Sequence, residues 1–228
     1  DFCAAISKPD KLNLIAEFKV ASPSSGDIRP VAIPQRIARV YQISGASAIS
    51  VVTDRHFKGK LKYLKDIADS VDLPILRKDF IIDKAQIYES RVYGANAILL
   101  IAAILGVSQI RGYIQLASSL KMDCLVESHN ESELEKAVES GARIFGINNR
   151  NLNNFSVDRQ TTLRLLPKIP DGSVIVTESG ILTYEHAMEL SHPRINAMLV
   201  GEAIMSHKSN PTLSDMGDKI YELLGKRK

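Results

Sequence analysis

The chain contains 228 residues, of which 45% are hydrophobic and 24% charged, with 13 glycines and 9 prolines. These ordinary globular values exclude a collagen-like, low-complexity or intrinsically disordered protein. The formal net charge is +3 and the charges are spread along the chain, which argues against a nucleic-acid partner because such proteins normally carry a basic cluster. Only the tail at 225–228 is basic, and a short terminal run of this kind is usually a solvated end.

Neither a membrane segment nor a secretory signal is predicted. The longest apolar run, Ala97–Leu105, is far shorter than the roughly 20 residues that a membrane span requires, and no apolar leader opens the chain. Cys3 and Cys124 lack the spacing of a zinc or dithiol motif. We therefore expect a reduced, cytoplasmic protein, and because the sequence starts at Asp1 we expect an upstream piece to have been removed or left out.

Short apolar runs recur along the whole chain and are predicted to be strands. Most are continuous rather than alternating, which is typical of strands buried on both faces of a parallel sheet. In chain order the eight runs are Leu12–Phe18, Ala48–Val52, Leu73–Leu76, Ala97–Ile101, Cys124–Val126, Ile144–Ile147, Val174–Val176 and Ala197–Val200.

Helical segments are predicted between these strands. Gly45, Gly94 and Gly141 each precede an alanine and close a helical stretch, where glycine supplies the left-handed backbone of a helix C-terminus. The segment from Asn130 to Glu133 fits a capping box, in which each side chain bonds to the backbone of the other residue. The chain thus alternates strand and helix from end to end.

Eight strands alternating with helices predict a single-domain (β/α)₈ TIM barrel over 1–228, with a short or truncated N-terminal extension. The competing architecture is a doubly wound open sheet. That fold normally has fewer strands and often a glycine-rich turn after the first. The segment Val20–Gly26 has one glycine and no such motif, so the barrel is favoured.

Polar residues cluster at the predicted carboxyl ends of the strands, where the active site of a barrel lies. Glu17 and Lys19 are two positions apart, so they share one side of the first strand. If Phe18 faces the helices, both charges enter the mouth of the barrel. An interior ion pair without a catalytic role is the alternative, but burying charges costs several kcal/mol per ion unless they are paired, which favours a functional site.

Lys78 ends the third strand, and its neighbour Arg77 and enclosure by the barrel predict a lowered pKa, suited to a proton donor or amine nucleophile. Taken alone, Lys78 would be a snorkelling lysine at a strand end. Glu127, Asn148 and Glu178 on later strands add the carboxylates and the amide that general acid–base chemistry requires.

A phosphate site is predicted at the ends of the seventh and eighth strands, where Ser179-Gly180 and Gly201-Glu202 follow. Barrel enzymes frequently bind phosphate there through backbone N–H groups. Two ordinary turn glycines are the alternative. His129 shares a face with Glu127 but has no second histidine at ligand spacing, so we predict no metal site.

The segment 16–26, AEFKVASPSSG, resembles the first-strand signature of the indole-3-glycerol phosphate synthase family. Further matching segments follow in the family's order: LRKDF at 76–80, VE at 126–127, GINNRNL at 146–152, ESGI at 178–181 and VG at 200–201. The resemblance implies a (β/α)₈ barrel that converts 1-(o-carboxyphenylamino)-1-deoxyribulose 5-phosphate to indole-3-glycerol phosphate. This carboxy-lyase step of tryptophan biosynthesis releases CO₂ and water and needs no cofactor.

The resemblance also implies roles for individual residues. Lys78 is the general acid that protonates the ketone oxygen, and Glu127 is its partner. Glu17 and Lys19 hold the substrate and assist dehydration, and Asn148 orients a substrate hydroxyl. The remaining matches are Glu178 and Ser179 at the rim, Ser22, Gly180 and Gly201 in the phosphate cradle, and Phe57 and Arg150 against the substrate.

The sequence departs from the family at a few positions. The segment before Glu17 is shorter than is usual, which puts the cover over the anthranilate end in question. Glu202 stands where some relatives have serine, so its side chain is expected to repel phosphate while its backbone N–H contributes.

Two other functions stay open at this point. The phosphoribosylanthranilate isomerase family also has a phosphate-binding barrel. A member would be expected to carry a cysteine on its first strand, and here no cysteine lies at a strand end. A non-catalytic barrel scaffold is the second alternative, against which the complete set of charged strand ends argues. It also stays open whether the chain is one part of a longer bifunctional polypeptide.

Overall fold

Eight parallel strands close into a barrel in the computed structural model of the chain, which describes residues 1–9, 11–22, 26–28, 32–151, 154–205 and 212–226, without the side chain of Ser22. Each strand pairs with the next along the chain, and the last pairs with the first. The strands are β1 Asn13–Phe18, β2 Ala48–Val52, β3 Ile75–Lys78, β4 Ala97–Ile101, β5 Asp123–Ser128, β6 Ile144–Asn148, β7 Val174–Glu178 and β8 Ala197–Val200.

Helices connect the strands and surround the barrel. They are α1 Phe2–Ile6, α2 Pro34–Ile43, α3 Leu61–Ala68, α4 Lys84–Val92, α5 Val107–Ser119, α6 Glu131–Glu139, α7 Gln160–Leu165, α8 Tyr184–Glu189, α9 Glu202–Met205 and α10 Leu213–Leu223. After β1 the chain forms a small antiparallel hairpin, in which Ala21–Ser22 pairs with Gly26–Asp27. Within the described parts of the chain, every helix is too short or too polar to cross a bilayer.

The predicted (β/α)₈ barrel is confirmed, and each predicted apolar run contains or overlaps one barrel strand. The main difference lies at the carboxyl ends, where strands continue into polar residues. β3 extends to Lys78, whose carbonyl oxygen accepts a bond from the Thr53 N–H at 3.1 Å, and β7 extends to Glu178. Backbone pairing with the neighbouring strands decides where a strand ends, and the apolar pattern does not record it.

Two apolar layers result from the alternation of side chains along each strand. One layer fills the inside of the barrel, where Ile15, Leu99 and Leu125 pack together with Phe2 and Ile6 from α1. The Cys3 N–H of α1 donates to Asp123 at 2.9 Å, and Asp123 begins β5. The short helix α1 therefore closes the amino-terminal end of the barrel.

The second apolar layer lies between the strands and the helices. Phe18 belongs to it and packs edge-on against Tyr63 of α3, with ring centroids 5.5 Å apart. Phe18 thus faces the helices, as the prediction for the first strand required. Its neighbour Glu17 consequently faces the barrel interior, where only 4% of its surface is exposed.

Candidate active site

The carboxyl ends of the strands surround a cavity of about 380 Å³. Apolar side chains such as Leu99, Leu199 and Ile181 form much of its wall. The predicted residues that line it are Glu17, Lys19, Phe57, Lys78, Glu127, Asn148, Arg150, Ser179, Gly180, Gly201 and Glu202. A mostly apolar cleft with a few convergent charges is the usual form of a small-molecule site.

Lys78 lies at the centre of the charged cluster. Its Nζ is 2.7 Å from Glu178 Oε2, 3.5 Å from Glu17 Oε2 and 3.8 Å from Glu127 Oε2. Lys19 adds a second positive charge, with its Nζ 3.2 Å from Glu17 Oε1. Two ammonium groups thus face three buried carboxylates, which offsets much of the cost of removing those charges from water.

The prediction of a lowered pKa for Lys78 is wrong. Burial alone would lower the pKa of Lys78, but the negative charges of Glu178, Glu17 and Glu127 outweigh burial and hold it above its ordinary value. Lys78 therefore keeps its proton at neutral pH.

Arg77 does not act on Lys78 because neighbouring residues of a strand point to opposite faces. The Arg77 guanidinium is buried among the surrounding helices, where it donates to Asp79 at 2.9 Å and to Glu89 at 2.8 Å. Its charge is paired on the outer face of β3, and the sequence neighbourhood of Lys78 was therefore a poor guide to its spatial neighbourhood.

Glu178 lies deeper than the rim position implied by the resemblance. Its side chain is completely buried, and its Oε1 has no hydrogen-bond partner among the described residues. Burial raises the pKa of Glu178 to about 7, an effect that Lys78 opposes and Glu127 reinforces. Glu178 therefore forms part of the floor beneath Lys78, and it can exchange a proton near neutral pH.

Two glycines leave the space that these carboxylates occupy. A Cβ added at Gly146 of β6 would lie 2.5 Å from Glu178 Oε1, and one at Gly201 would lie 2.5 Å from Glu17 Oε1. Both distances are shorter than any tolerable contact. Gly201 was predicted to let a phosphate approach the backbone, and the structure supplies a second reason for glycine there, namely room for Glu17.

Glu127 contacts His129, which the sequence placed on the same face but for which it predicted no function. Glu127 Oε1 is 3.3 Å from Nε2 of His129, whose Nδ1 is 2.8 Å from Glu133 Oε2. The signal that would have found this group was the spacing of Glu127, His129 and Glu133, which places a histidine between carboxylates on β5 and α6.

The capping box predicted from Asn130 to Glu133 forms in modified form. Asn130 Oδ1 accepts from the Glu133 N–H at 3.0 Å, as expected. The Glu133 carboxylate instead accepts from the Asn130 side chain at 2.7 Å and from the His129 N–H at 2.8 Å. The start of α6 thereby fixes the carboxylate that holds the imidazole.

The turn after β7 presents backbone to the cavity. Ser179 and Gly180 adopt left-handed conformations with φ of 68° and 82°. Buried Asn149 holds this turn by donating to the Ser179 carbonyl oxygen at 3.2 Å and to Thr177 at 3.1 Å. The turn is thus preorganised by its neighbours rather than by its own sequence alone.

The remaining predicted residues lie around the opening. Phe57 ends the short 3₁₀ turn after β2, and Asn148 ends β6, where its Oδ1 accepts from the Arg150 N–H at 3.0 Å. Arg150 forms an ion pair with Glu202 beside the corner where a phosphate was predicted, with 3.5 Å between Nη2 and Oε2. The side chain of Ser22 lies outside the described residues.

No group of three or more histidine, cysteine, aspartate or glutamate side chains in the described ranges is arranged to hold a metal ion. Cys3 and Cys124 are free thiols.

Comparison with known proteins identifies the family of the chain. The family described as Indole-3-glycerol phosphate synthase matches residues 1–214. The chain is 48% identical over 204 residues to an indole-3-glycerol phosphate synthase of Chlorobium phaeovibrioides, covering 89% of this chain and 79% of that protein. It is 52% identical over 193 residues to one of Polaromonas naphthalenivorans, covering 84% and 73% respectively.

Solved structures show the same fold at low sequence identity. A mutant tryptophan synthase alpha-subunit from Pyrococcus furiosus matches with a TM-score of 0.70 and 15% identity, over 96% of this chain and 100% of that one. KGPDC from Streptococcus mutans matches with a TM-score of 0.67 and 12% identity, over 92% and 98%. Identities this low establish the fold alone.

Proposed function

The chain belongs to the indole-3-glycerol phosphate synthase family, so it is a carboxy-lyase of tryptophan biosynthesis, and we propose that the charged cluster around Lys78 carries out its reaction. The substrate is 1-(o-carboxyphenylamino)-1-deoxyribulose 5-phosphate and the product is indole-3-glycerol phosphate. The observation that carries this assignment is the placement of one partly buried ammonium group within 4 Å of three buried carboxylates at the floor of the cavity.

Ring closure requires an acid at the ketone oxygen. The aromatic carbon that bears the carboxylate attacks the ketone carbon, and the oxygen takes up a proton as the new C–C bond forms. Lys78 supplies that proton, because its carboxylate neighbours keep it protonated until the substrate arrives. Glu178, whose pKa burial raises to about 7, lies 2.7 Å away and can return a proton to Lys78.

Decarboxylation and dehydration complete the reaction. The bond to the carboxylate breaks, CO₂ leaves, and the electron pair of that bond stays on the ring and restores its aromaticity. The new hydroxyl then takes up a proton and leaves as water, while the neighbouring CH₂ loses a proton. Lys19, which is paired with Glu17, assists departure of the hydroxyl. Glu127 accepts the CH₂ proton, because His129 and Lys78 lower its pKa against the effect of burial and so keep it ionised.

The charged ends of the substrate require positive and N–H groups at the rim. We assign the phosphate to the corner formed by the Ser179-Gly180 turn and the backbone N–H of Gly201 or Glu202. Lys19 and Arg150 line the same cavity and offset the negative charge of a phosphate ester that also bears a carboxylate. Asn148 is assigned to a substrate hydroxyl, and Phe57 to an apolar contact.

Turnover of the carboxyphenylamino-deoxyribulose phosphate, followed by indole fluorescence, tests the assignment directly. We expect a fluorescence rise with the wild-type chain and little or none with Lys78→Met. No signal from well-folded wild-type protein would favour the non-catalytic scaffold. The isomerase alternative finds no support among the relatives described above, which are synthases.

Two further expectations belong to this proposal. A cytoplasmic location fits a biosynthetic enzyme of small phosphorylated metabolites. Fusion to a second catalytic domain remains a prediction, and the mass of the protein in an extract of its natural cell, measured by immunoblot, would test it.

A further inference from the structure

We propose that His129 is a positioning residue for the reaction: as an imidazolium hydrogen-bonded to Glu133, it forms an ion pair with one oxygen of Glu127 and leaves the other oxygen of that carboxylate facing Lys78 and the cavity. The inference rests on the proposed function, in which Glu127 accepts a proton. It adds to that function a buried row of three side chains, Glu133, His129 and Glu127, which lies behind the mouth of the cavity.

The hydrogen-bond pattern determines the state of the imidazole. Glu133 Oε2 accepts from the His129 backbone N–H at 2.8 Å and lies 2.8 Å from Nδ1, so Nδ1 carries a hydrogen. The second ring nitrogen, Nε2, lies 3.3 Å from Glu127 Oε1, which is ion-pair distance without an aligned hydrogen bond among the described residues, and the side chain is only 6% exposed. A neutral ring protonated on Nδ1 would direct a lone pair at a buried carboxylate, whereas the imidazolium attracts both carboxylates.

The groups that face this histidine come from several elements. Glu127 of β5 and Glu133 of α6 contact the ring, and Lys78 of β3 lies beyond Glu127, 3.8 Å from its Oε2. Lys136 of α6 bonds instead to the Ala102 carbonyl oxygen at 3.2 Å. The nearest counterparts of the imidazolium are thus two carboxylates, and burial, which alone would lower the pKa of His129, is overcome so that its pKa rises to about 10.

A comparison within the site shows what the histidine contributes. Glu127 and Glu178 are both buried and both face Lys78, and Glu178 is the closer of the two. Even so, Glu178 has a pKa raised by burial to about 7, whereas the pKa of Glu127 falls to about 2. His129 is one cause of the lowered pKa of Glu127, and the direct interaction between the two carboxylates also raises the pKa of Glu178, so the imidazolium favours Glu127 as the ionised member of the pair.

The two oxygens of Glu127 have different surroundings. Oε1 lies next to His129, while Oε2 is buried without a hydrogen-bond partner among the described residues. An oxygen held near Lys78 but not bonded is placed to accept a proton from a substrate in the cavity. The imidazolium would fix this orientation, since rotation of the carboxylate would separate Oε1 from its charge partner.

The experiment compares His129→Asn with His192→Asn, a matched substitution at an exposed histidine before β8. The pKa of the Glu127 carboxyl is measured by ¹³C NMR titration, with the signal assigned through Glu127→Gln. Loss of an opposite charge at this distance is expected to raise the Glu127 midpoint by about 1–3 pH units. The low-pH limb of kcat/KM should move upward by the same interval, and activity should recover as the pH rises; His192→Asn should change neither.

The outcomes separate this inference from the proposed function. If the wild-type protein does not turn over the substrate, the proposed function is refuted. If His129→Asn nevertheless shifts the Glu127 titration relative to wild type, the coupling between His129 and Glu127 still stands. An unchanged titration and pH profile in His129→Asn would overturn the inference. Should that variant fail to fold, ¹⁵N NMR of wild-type His129 decides: titration near the ordinary histidine value of about 6.5 overturns it, and a retained imidazolium at pH 8 supports it.

Discussion

The two ends of the barrel are built from the same eight strands but are filled in opposite ways. At the amino-terminal end, Phe2 and Ile6 of α1 pack on inward-facing aliphatic side chains such as Ile15. At the carboxyl-terminal end, Lys78 and its carboxylates occupy the equivalent interior positions.

This difference separates stability from chemistry. Fully burying a large apolar side chain contributes about 1.5–3 kcal/mol, so the amino-terminal end stabilises the fold without taking part in the reaction. Buried ions contribute little net stability, because desolvation cancels much of their attraction. The charged groups at the mouth therefore add little stability, and what they provide is charges in fixed positions. Substitutions at the amino-terminal end should lower stability, whereas substitutions at the mouth should lower activity.

Replacing Lys78 by methionine should have the largest effect on activity. The change keeps the length of the side chain but removes the proton donor, and loss of a positioned acid typically costs on the order of 10²–10⁴ in rate. Steady-state turnover measures the loss, and circular dichroism checks the fold. Lys62→Met, which removes an exposed lysine paired with Asp66, is the control and should retain full turnover. Wild-type turnover in Lys78→Met would transfer the acid role to Lys19.

Truncating Phe2 to alanine should show the opposite signature at the other end. Phe2 is fully buried within the inner layer, and replacing such a side chain by alanine typically costs 3–5 kcal/mol of unfolding free energy. Urea denaturation measures the loss, while kcat and KM of the folded fraction should stay at wild-type values. A normal midpoint would show that α1 contributes no packing to the barrel interior.

Adding a methyl group at Gly201 should disturb the mouth through Glu17. The new Cβ would meet Glu17 Oε1 at 2.5 Å and its Cβ at 3.0 Å, so Gly201→Ala should displace that carboxylate and Lys19 with it. A misplacement of about 1 Å can lower the reaction rate by up to about 10²-fold. We therefore expect kcat to fall as well as KM to rise. A change confined to KM would instead favour the role of Gly201 in phosphate binding.

Replacing Glu202 by serine should have the smallest effect. Its carboxylate pairs with Arg150 at 3.5 Å beside the proposed phosphate corner. Removing it would release Arg150 toward the substrate and remove a like charge, and exposed ion pairs of this kind are worth about 0.2–1 kcal/mol. We therefore expect a modest decrease in KM with kcat unchanged. Asp69→Ser, which removes the exposed partner of Lys65 at the end of α3, is the control, and an increased KM in Glu202→Ser would contradict the phosphate assignment.

Much of the fold could be predicted from the sequence because it depends on local patterns. Continuous apolar runs such as Ala97–Ile101 form buried strands wherever helices cover both faces, and this run has the predicted bounds. The glycines at 45, 94 and 141 have φ of 98°, 91° and 85°, as their positions at helix ends indicated. The polar residues at strand ends converge on one cavity because parallel strands of a barrel all end on the same side.

What only the tertiary structure decided concerns the charges and their surroundings. Lys78 and Glu178 are 100 positions apart in the chain yet 2.7 Å apart in space. The neighbour that the sequence placed beside Lys78, Arg77, instead lies on the outer face of β3. The direction of the Lys78 pKa therefore came out opposite to the prediction, because electrostatic interaction depends on distance and burial rather than on chain separation.

The depth of Glu178 was hidden from the sequence for the same reason, and for His129 the sequence indicated only that it shares a face with Glu127. The sequence pattern is the same for a glutamate at the rim of the cavity and for one beneath it. The space that Glu178 occupies is left by Gly146, which lies on a different strand. His129 became informative only when α6 brought Glu133 against it. Residue types and their order along the chain determined which chemical groups reach the mouth, whereas the packing of elements from distant parts of the chain determined which of those groups carry protons.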